Sequence, residues 1–354
     1  LLLAKLRCAT GKSGVQFGGR ARRVDEREIL RMIGAGGKAL RYEVALGVTE
    51  HFTYAAYLSD PTVPTKMAEV NRMIGKAEDL LWPGKPPRAE VAILAARSAE
   101  IWDKEGSTTP GYLAEEANLY RALQQANVPV DFVEEDDLSA KGLEPYKVLY
   151  VTEPNIPAEF QKSLVAWVQG GGTLALSMGA GAADRYNDPC DILYKGLANA
   201  DRGRVVRFDW TPGSFSEFIR GQMIAPVQTA KVVPPVTVNQ PMIETPLLLS
   251  EKGAAVTLLN WKGETHQEVK LTVRVPFKAK SVESVKQGKL TFTQTETGLQ
   301  CALPLDATDI VLLRPCANYR ITGPGFSHHV IQPGVSGRLR LHAGGDQERV
   351  PERI

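Results

Sequence analysis

YKVLYVTEPNIPAEFQKSLVAWVQGGGTLALSMGAGAADRYND, residues 146–188, reads as a buried strand, an amphipathic helix closed by a glycine triplet, and a second buried strand that empties into a small-residue loop. Val148, Leu149, Tyr150 and Val151 form a short apolar run, as a parallel strand covered on both faces requires. Pro157 opens the helix where its missing N–H does no harm, and Phe160, Leu164, Trp167 and Val168 fall on one face. Gly170, Gly171 and Gly172 stop it, and Leu174, Ala175 and Leu176 resume the sheet. This is one βαβ unit, so ligand-facing groups belong at the carboxyl ends of its strands, around Thr152, Glu153 and Ser177 to Gly181.

A chain of 354 residues predicts two or three domains at roughly 150 residues each. A hydrophobic content of 43% and a charged content of 23% are those of a globular protein, and a net charge of +2 points to no nucleic-acid partner. Cys8, Cys190, Cys301 and Cys316 lack CxxC spacing, which predicts neither a zinc site nor a disulfide framework. No apolar run approaches the roughly 20 residues that span a bilayer, so no membrane partner is expected. The opening LLLAKLRCAT is too short and too interrupted for a signal-peptide core, and the first residue is not Met. The natural N-terminus is therefore expected upstream, and localisation stays unassigned.

Outward from the central unit the rhythm is regular. Val91–Ala95 and Val130–Val133 read as strands, with a helix over Leu113–Ala126 between them. After the unit come a helix over Ile192–Leu197 and a strand in RVVRFDW. Alternation at this spacing predicts a doubly wound parallel sheet of flavodoxin-like type. Upstream, helices are predicted over Asp25–Ile33 and Met67–Leu81, with KALRYEVAL as a strand between them, and Trp82 to Pro87 as a linker. Residues 1 to about 25 carry no period and read as basic and mobile. Prolines between Thr211 and Pro246 predict an extended connector. AAVTLLNW, EVKLTVRV, SVESVK, KLTFTQT, LQCALPL and DIVLLRP then predict a small all-β sandwich, and 317–354 a disordered tail.

The order IGAGGKALRYEVALG, EVNRMIGKAEDLLWPGKPPRAEVAIL, the strand–helix–GGGTLALS unit, RVVRFDWTPGSF and a closing sandwich with AAVTLLNW resembles the C-terminal half of β-galactosidase-like glycoside hydrolases, over roughly residues 27–315. The resemblance implies a remnant of the end of a (β/α)8 TIM barrel plus linker over 1–87. It implies a class I glutamine-amidotransferase-like trimerisation domain over 88–225 and a β sandwich over 226–316. A whole barrel takes about 250 residues, so most of the catalytic domain is expected to be missing.

Retaining glycosidases need two carboxylates about 5 Å apart. Glu43 and Glu50 are read as structural or solvated, because the family's catalytic glutamates would lie upstream. Ser177 falls near the position of the amidotransferase cysteine, yet no histidine occurs between His51 and His266 to serve as its base. Gly179, Gly181 and Asp184 fit neither a dinucleotide fingerprint nor a P-loop. The acidic run Glu134 to Asp137 and the set Asp184, Asp188 and Asp191 are read as solvated loops over a divalent-cation site. Trp102, read as a loop residue beside Ser98, Glu100 and Asp103, suits a subunit interface, with stacking on a sugar as the alternative.

No catalytic, cofactor or metal residue is assigned. The candidate ligand or interface edge comprises Ser98, Glu100, Trp102, Thr152, Glu153, Ser177, Asp184 and Tyr186. The expected role is a non-catalytic assembly region, forming a homo-oligomer (a trimer by the resemblance) and shaping a neighbouring active site. The alternatives are a stand-alone module binding a galactoside or oligosaccharide, and a hydrolase of amidotransferase type using Ser177.

Overall fold

The computed structural model describes residues 5, 7, 8, 18–21, 25–42, 62–103, 111–200 and 204–316. Glu43, Glu50, His51 and the 317–354 tail lie outside them. β1 (Gly18–Ala21), α1 (Glu26–Gly34) and β2 (Ala39–Tyr42) come first, and β1 pairs with β2 in parallel. The long helix α2 (Thr62–Leu81) follows. The α/β unit then runs through β3 (Val91–Ala95), α3 (Arg97–Trp102), α4 (Tyr112–Gln125), β4 (Val130–Glu134), α5 (Ala140–Leu143), β5 (Val148–Val151), α6 (Ala158–Gln169), β6 (Thr173–Leu176), α7 (Ile192–Gly196), β7 (Val205–Arg207) and α8 (Glu217–Thr229).

The five strands are all parallel, in the spatial order β4-β3-β5-β6-β7. Their side chains alternate between two cores. Ala92, Leu94, Leu149, Val151, Leu174 and Leu176 pack with Leu164 and Val168 of α6 and Leu193 of α7. Val91, Ile93, Val148, Tyr150 and Ala175 pack with Leu119 and Leu123 of α4 and Met223 and Val227 of α8. Each fully buried leucine contributes roughly 1.5–3 kcal/mol. Gly172 closes the α6 turn because a Cβ there would stand 2.4 Å from the Trp167 ring.

Antiparallel strands complete the chain: β8 (Val236–Val238), β9 (Ile243–Glu244), β10 (Leu247–Ser250), β11 (Gly253–Asn260), β12 (His266–Val273), β13 (Ala279–Ser284), β14 (Gly288–Lys289), β15 (Phe292–Thr295), β16 (Gly298–Leu305) and β17 (Thr308–Pro315). One sheet has the order β10-β11-β17-β13-β14, with β9 on β11, and the other the order β15-β16-β12-β8. Val256, Val311 and Leu313 of the first share a core with Leu271, Leu299 and Leu303 of the second, as the alternating pattern predicts.

Four expectations are corrected. The 211–246 stretch is not simply an extended connector. Ser216 caps α8 by accepting from the Ile219 N–H at 3.2 Å, and Met223, Pro226 and Val227 are buried, so tertiary packing overrides the proline in the helix. Trp102 is not in a loop but ends α3. The Trp82–Pro87 bend is no free linker, since Lys85 and Leu249 exchange both backbone hydrogen bonds, at 2.9 and 2.8 Å. Lys38 also donates to the Leu81 and Gly84 carbonyls, both at 2.6 Å, capping the end of α2.

The fourth concerns the N-terminal residues. Lys5, Arg7 and Cys8 are helical and tied to the α/β unit by hydrogen bonds, and Gly18–Ala21 forms a strand. Downstream of them, α1 and α2 lie on the outer face of the larger antiparallel sheet. Leu30, Met32, Ala77 and Leu80 pack there against Ala255, Leu259, Ile310 and Leu312.

Candidate functional site

The carboxyl edge of the parallel sheet collects the candidate residues from the ends of β3, β5 and β6. Ser98 opens α3 and is buried; its N–H and hydroxyl both donate to the Glu135 carboxylate, at 3.1 Å each. Glu135 therefore serves the α3 terminus, and the Asp137 carboxylate accepts from the Glu134 N–H at 3.2 Å. Asp184 organises its own loop, accepting from the N–H groups of Tyr186 at 2.8 Å and Asp188 at 3.1 Å. Among the described residues no group of three or more His, Cys, Asp or Glu side chains is placed to hold a metal ion.

Thr152 and Glu153 follow β5 and are fully enclosed. The Glu153 side chain accepts from the Thr152 N–H at 2.9 Å. Burial first, and the charge of Glu116 second, push its carboxyl up to about 8, so it holds a proton at neutral pH. Burial also raises Glu116, against the pull of Lys5, whose ammonium stands 2.7 Å from one carboxylate oxygen and 3.0 Å from the other. The Tyr112 hydroxyl is likewise raised, by burial and then by Asp103 and Glu153.

Ser177, after β6, points at a third buried carboxylate, donating to Glu115 at the long distance of 3.4 Å. Glu115 also accepts from the Trp210 indole N–H at 2.7 Å and the Gly213 N–H at 2.9 Å. It ties α4 to the ends of β6 and β7. Gly181 adopts φ +69°, and a Cβ there would stand 2.9 Å from Leu193, so it lets the loop pass closely over α7.

The outer rim of this edge is apolar. Trp102 is 46% exposed with its indole N–H donating to the Arg185 carbonyl at 2.8 Å. Tyr186 and Ile101 are each 70% exposed, and Met178 and Leu113 are also exposed. Trp102 and the 184–188 loop are thus joined into one surface, with Glu100 exposed beside Ile101. At the opposite edge of the sheet, Pro87, Glu90, Pro129, Glu144, Pro145 and Val233 help to line a cavity of ≈ 480 Å³ that includes none of the predicted residues.

Sequence reasoning found the loops but missed Lys5, Tyr112, Glu115 and Glu116. The signal lay in LAEEANLYRAL, where Glu115 and Glu116 precede Leu119 and Leu123 at helical spacing, on the buried side of α4. Chemically the arrangement is a set of buried carboxyl groups, Glu153 protonated among them, under an exposed aromatic rim. Ser177, the one candidate nucleophile, is buried and turned toward a carboxylate that already has two other donors.

Residues 89–203 match the model of the family described as the β-galactosidase trimerisation domain. No curated protein sequence matches the chain. A solved catalytic mutant of Gan42B, a GH42 β-galactosidase from G. stearothermophilus, is 16% identical with a TM-score of 0.57, covering 82% of this chain and 50% of that one. The β-galactosidase from Bacillus circulans sp. alkalophilus is 13% identical with a TM-score of 0.54, over 81% and 52%. An α-L-fucosidase, isoenzyme 2 from Paenibacillus thiaminolyticus, is also 13% identical, with a TM-score of 0.62 over 87% and 62%. At such identities the likeness shows the fold, which two different activities here share. The chain spans about half the length of these β-galactosidases. Residues 89–203 are thus similar to the β-galactosidase trimerisation domain, in a chain whose fold is similar to about half of a GH42 β-galactosidase.

Proposed function

We propose that this chain is the non-catalytic assembly region of a β-galactosidase-like glycoside hydrolase, bringing copies together as a homo-oligomer, a trimer by family resemblance. The match of residues 89–203 to the trimerisation family carries the reading. The exposed rim of Ile101, Trp102, Met178 and Tyr186 supplies a contact surface, because apolar side chains gathered on one edge are those a partner would cover. By the same proposal that rim faces a neighbouring subunit's active site and helps to shape it.

The finer fold assignment belongs to this reading. The order β4-β3-β5-β6-β7, with strands numbered from β3, is 2-1-3-4-5, the flavodoxin-like order expected of an amidotransferase-like domain. The parallel β1–α1–β2 unit is what the end of a (β/α)8 barrel would leave. On this view 1–87 is barrel remnant ending in the docked Trp82–Pro87 connection, 88–225 the assembly domain and 226–316 the sandwich.

Light scattering on the chromatographed protein tests the proposal. A trimer mass at micromolar concentration, reduced by Trp102→Ala, is expected, and a monomer at all concentrations sinks it. The exposed Trp102 and Tyr186 favour one second reading, contact with a galactoside or oligosaccharide. Calorimetric titration with galactosides would then give heat that Trp102→Ala removes, and no heat ends that reading.

A further inference from the structure

β4 lies at one end of the five-stranded sheet, with β3 on its inner side. Alternate residues of a parallel strand turn their N–H and C=O away from the neighbour, and an edge so exposed is a template for another strand. Here the outward residues are Val130, Phe132 and Glu134; Asp137 takes the Glu134 N–H, and the other two are covered from outside the strand. The Phe132 N–H donates to Cys8 Sγ at 3.2 Å, and the Val130 carbonyl accepts from the Arg7 guanidinium at 2.5 Å. Arg7 also holds the Asp131 carboxylate at 2.7 Å, and the Lys5 ammonium lies 5.5 Å from the centre of the Phe132 ring. Cys8 is packed against the apolar cluster of Val130 and Phe132, and burial raises its thiol, which keeps it neutral beside the strand.

Side-chain atoms thus stand where the carbonyl and amide of an added strand would stand. Because Arg7 and Cys8 are helical, they satisfy the edge without extending it. We propose that Lys5, Arg7 and Cys8 form a plug that closes the β4 edge against strand addition by a second copy of this chain. The occupant it excludes is the same strand of another copy. The VDFVE segment of β4 is apolar at Val130, Phe132 and Val133, and every molecule in solution carries it. The plug is independent of the assembly surface proposed above, since it concerns the opposite outcome, a contact to be avoided.

The test uses the full chain. In an Arg7→Ala, Cys8→Ala double variant, hydrogen exchange in β4, at the Phe132 amide above all, should rise about tenfold, as expected when an amide loses its one hydrogen bond. Exchange in β5 and β6 should stay as in the parent, and the mass from light scattering should climb with concentration beyond the parent's. If β5 and β6 also lose protection, Cys8→Ala alone, which keeps Arg7 on Val130 and removes the bond to Phe132 with the longer sulfur contacts to Asp131 and Arg7, makes the same comparison. Unchanged β4 exchange overturns the proposal, and so does faster β4 exchange without any gain in mass.

Discussion

Replacing Glu153 by Gln should stabilise the protein in alkaline solution and flatten its response to pH. The amide keeps the shape and the acceptor for the Thr152 N–H, but it cannot ionise. Glu153 is 1% exposed, and burial followed by the Glu116 charge moves its carboxyl from the usual 4.5 to about 8. The unfolded chain releases this proton near 4.5 and the folded one near 8. Between those values the folded state binds more protons, so stability is greatest below pH 4.5 and falls as pH rises, levelling off above 8. At about 1.4 kcal/mol per pH unit the loss is at most roughly 5 kcal/mol, and relaxation around Lys5 and Glu116 reduces it. Urea unfolding from pH 5 to 8.5 measures it, with Glu153→Gln more stable than the parent by a margin that widens with pH. Parallel curves for the two proteins would refute the assignment of the buried proton to Glu153.

The other expectations concern the joints. Glu115→Ala strands the Ser177, Trp210 and Gly213 donors and should cost about 3–5 kcal/mol in urea unfolding, whereas Ser177→Ala should cost under about 1 kcal/mol; equal costs would show that the carboxylate is not the hub. Arg31→Ala leaves Glu244 buried without its ion-pair partner, a loss of about 3–5 kcal/mol, while breaking the exposed Arg314–Asp79 pair should cost under about 1 kcal/mol. An Arg31 effect no larger than that of Arg314 contradicts the contrast. Gly34→Ala should lower the melting temperature through a loss of about 1–3 kcal/mol, because its Cβ would stand 2.5 Å from Thr257 Oγ1 and 2.6 Å from Pro246 Cβ; an unshifted melt would mean that α1 can move away.

The parallel sheet was legible because its signals are local. Val148–Val151 could bury both faces only in a covered strand, and Gly170 to Gly172 could only end a helix. The antiparallel strands were legible for the same reason, since alternation along Val269 to Val273 fixes a face. The docking of α1 and α2 was not. Ile29, Leu30 and Ile33 announce that a face is buried but carry nothing about what covers it. α8 was hidden by proline count, although Met223 and Val227 stand one turn apart. The glutamates of α4 were hidden by their charge, which by habit reads as solvent-facing. Their burial comes from Lys5, Trp210 and the loop after β7, which are distant in sequence. The candidate edge was found as a set of loops, and the network that holds those loops together was not.

The docking of the N-terminal helices also sets an order of events. Glu26, the first residue of α1, accepts from Thr308, 282 residues later, and Asp79 of α2 meets Arg314. During synthesis the apolar stripes of α1 and α2 emerge before β11 and β17, the strands they pack against. The α/β unit, whose strands neighbour one another along the chain, can fold in that interval. Helices α1 and α2 are therefore made well before the sheet face that covers them. The larger antiparallel sheet acquires its second covered face when they arrive, so residues before the α/β unit and residues after it close on one another.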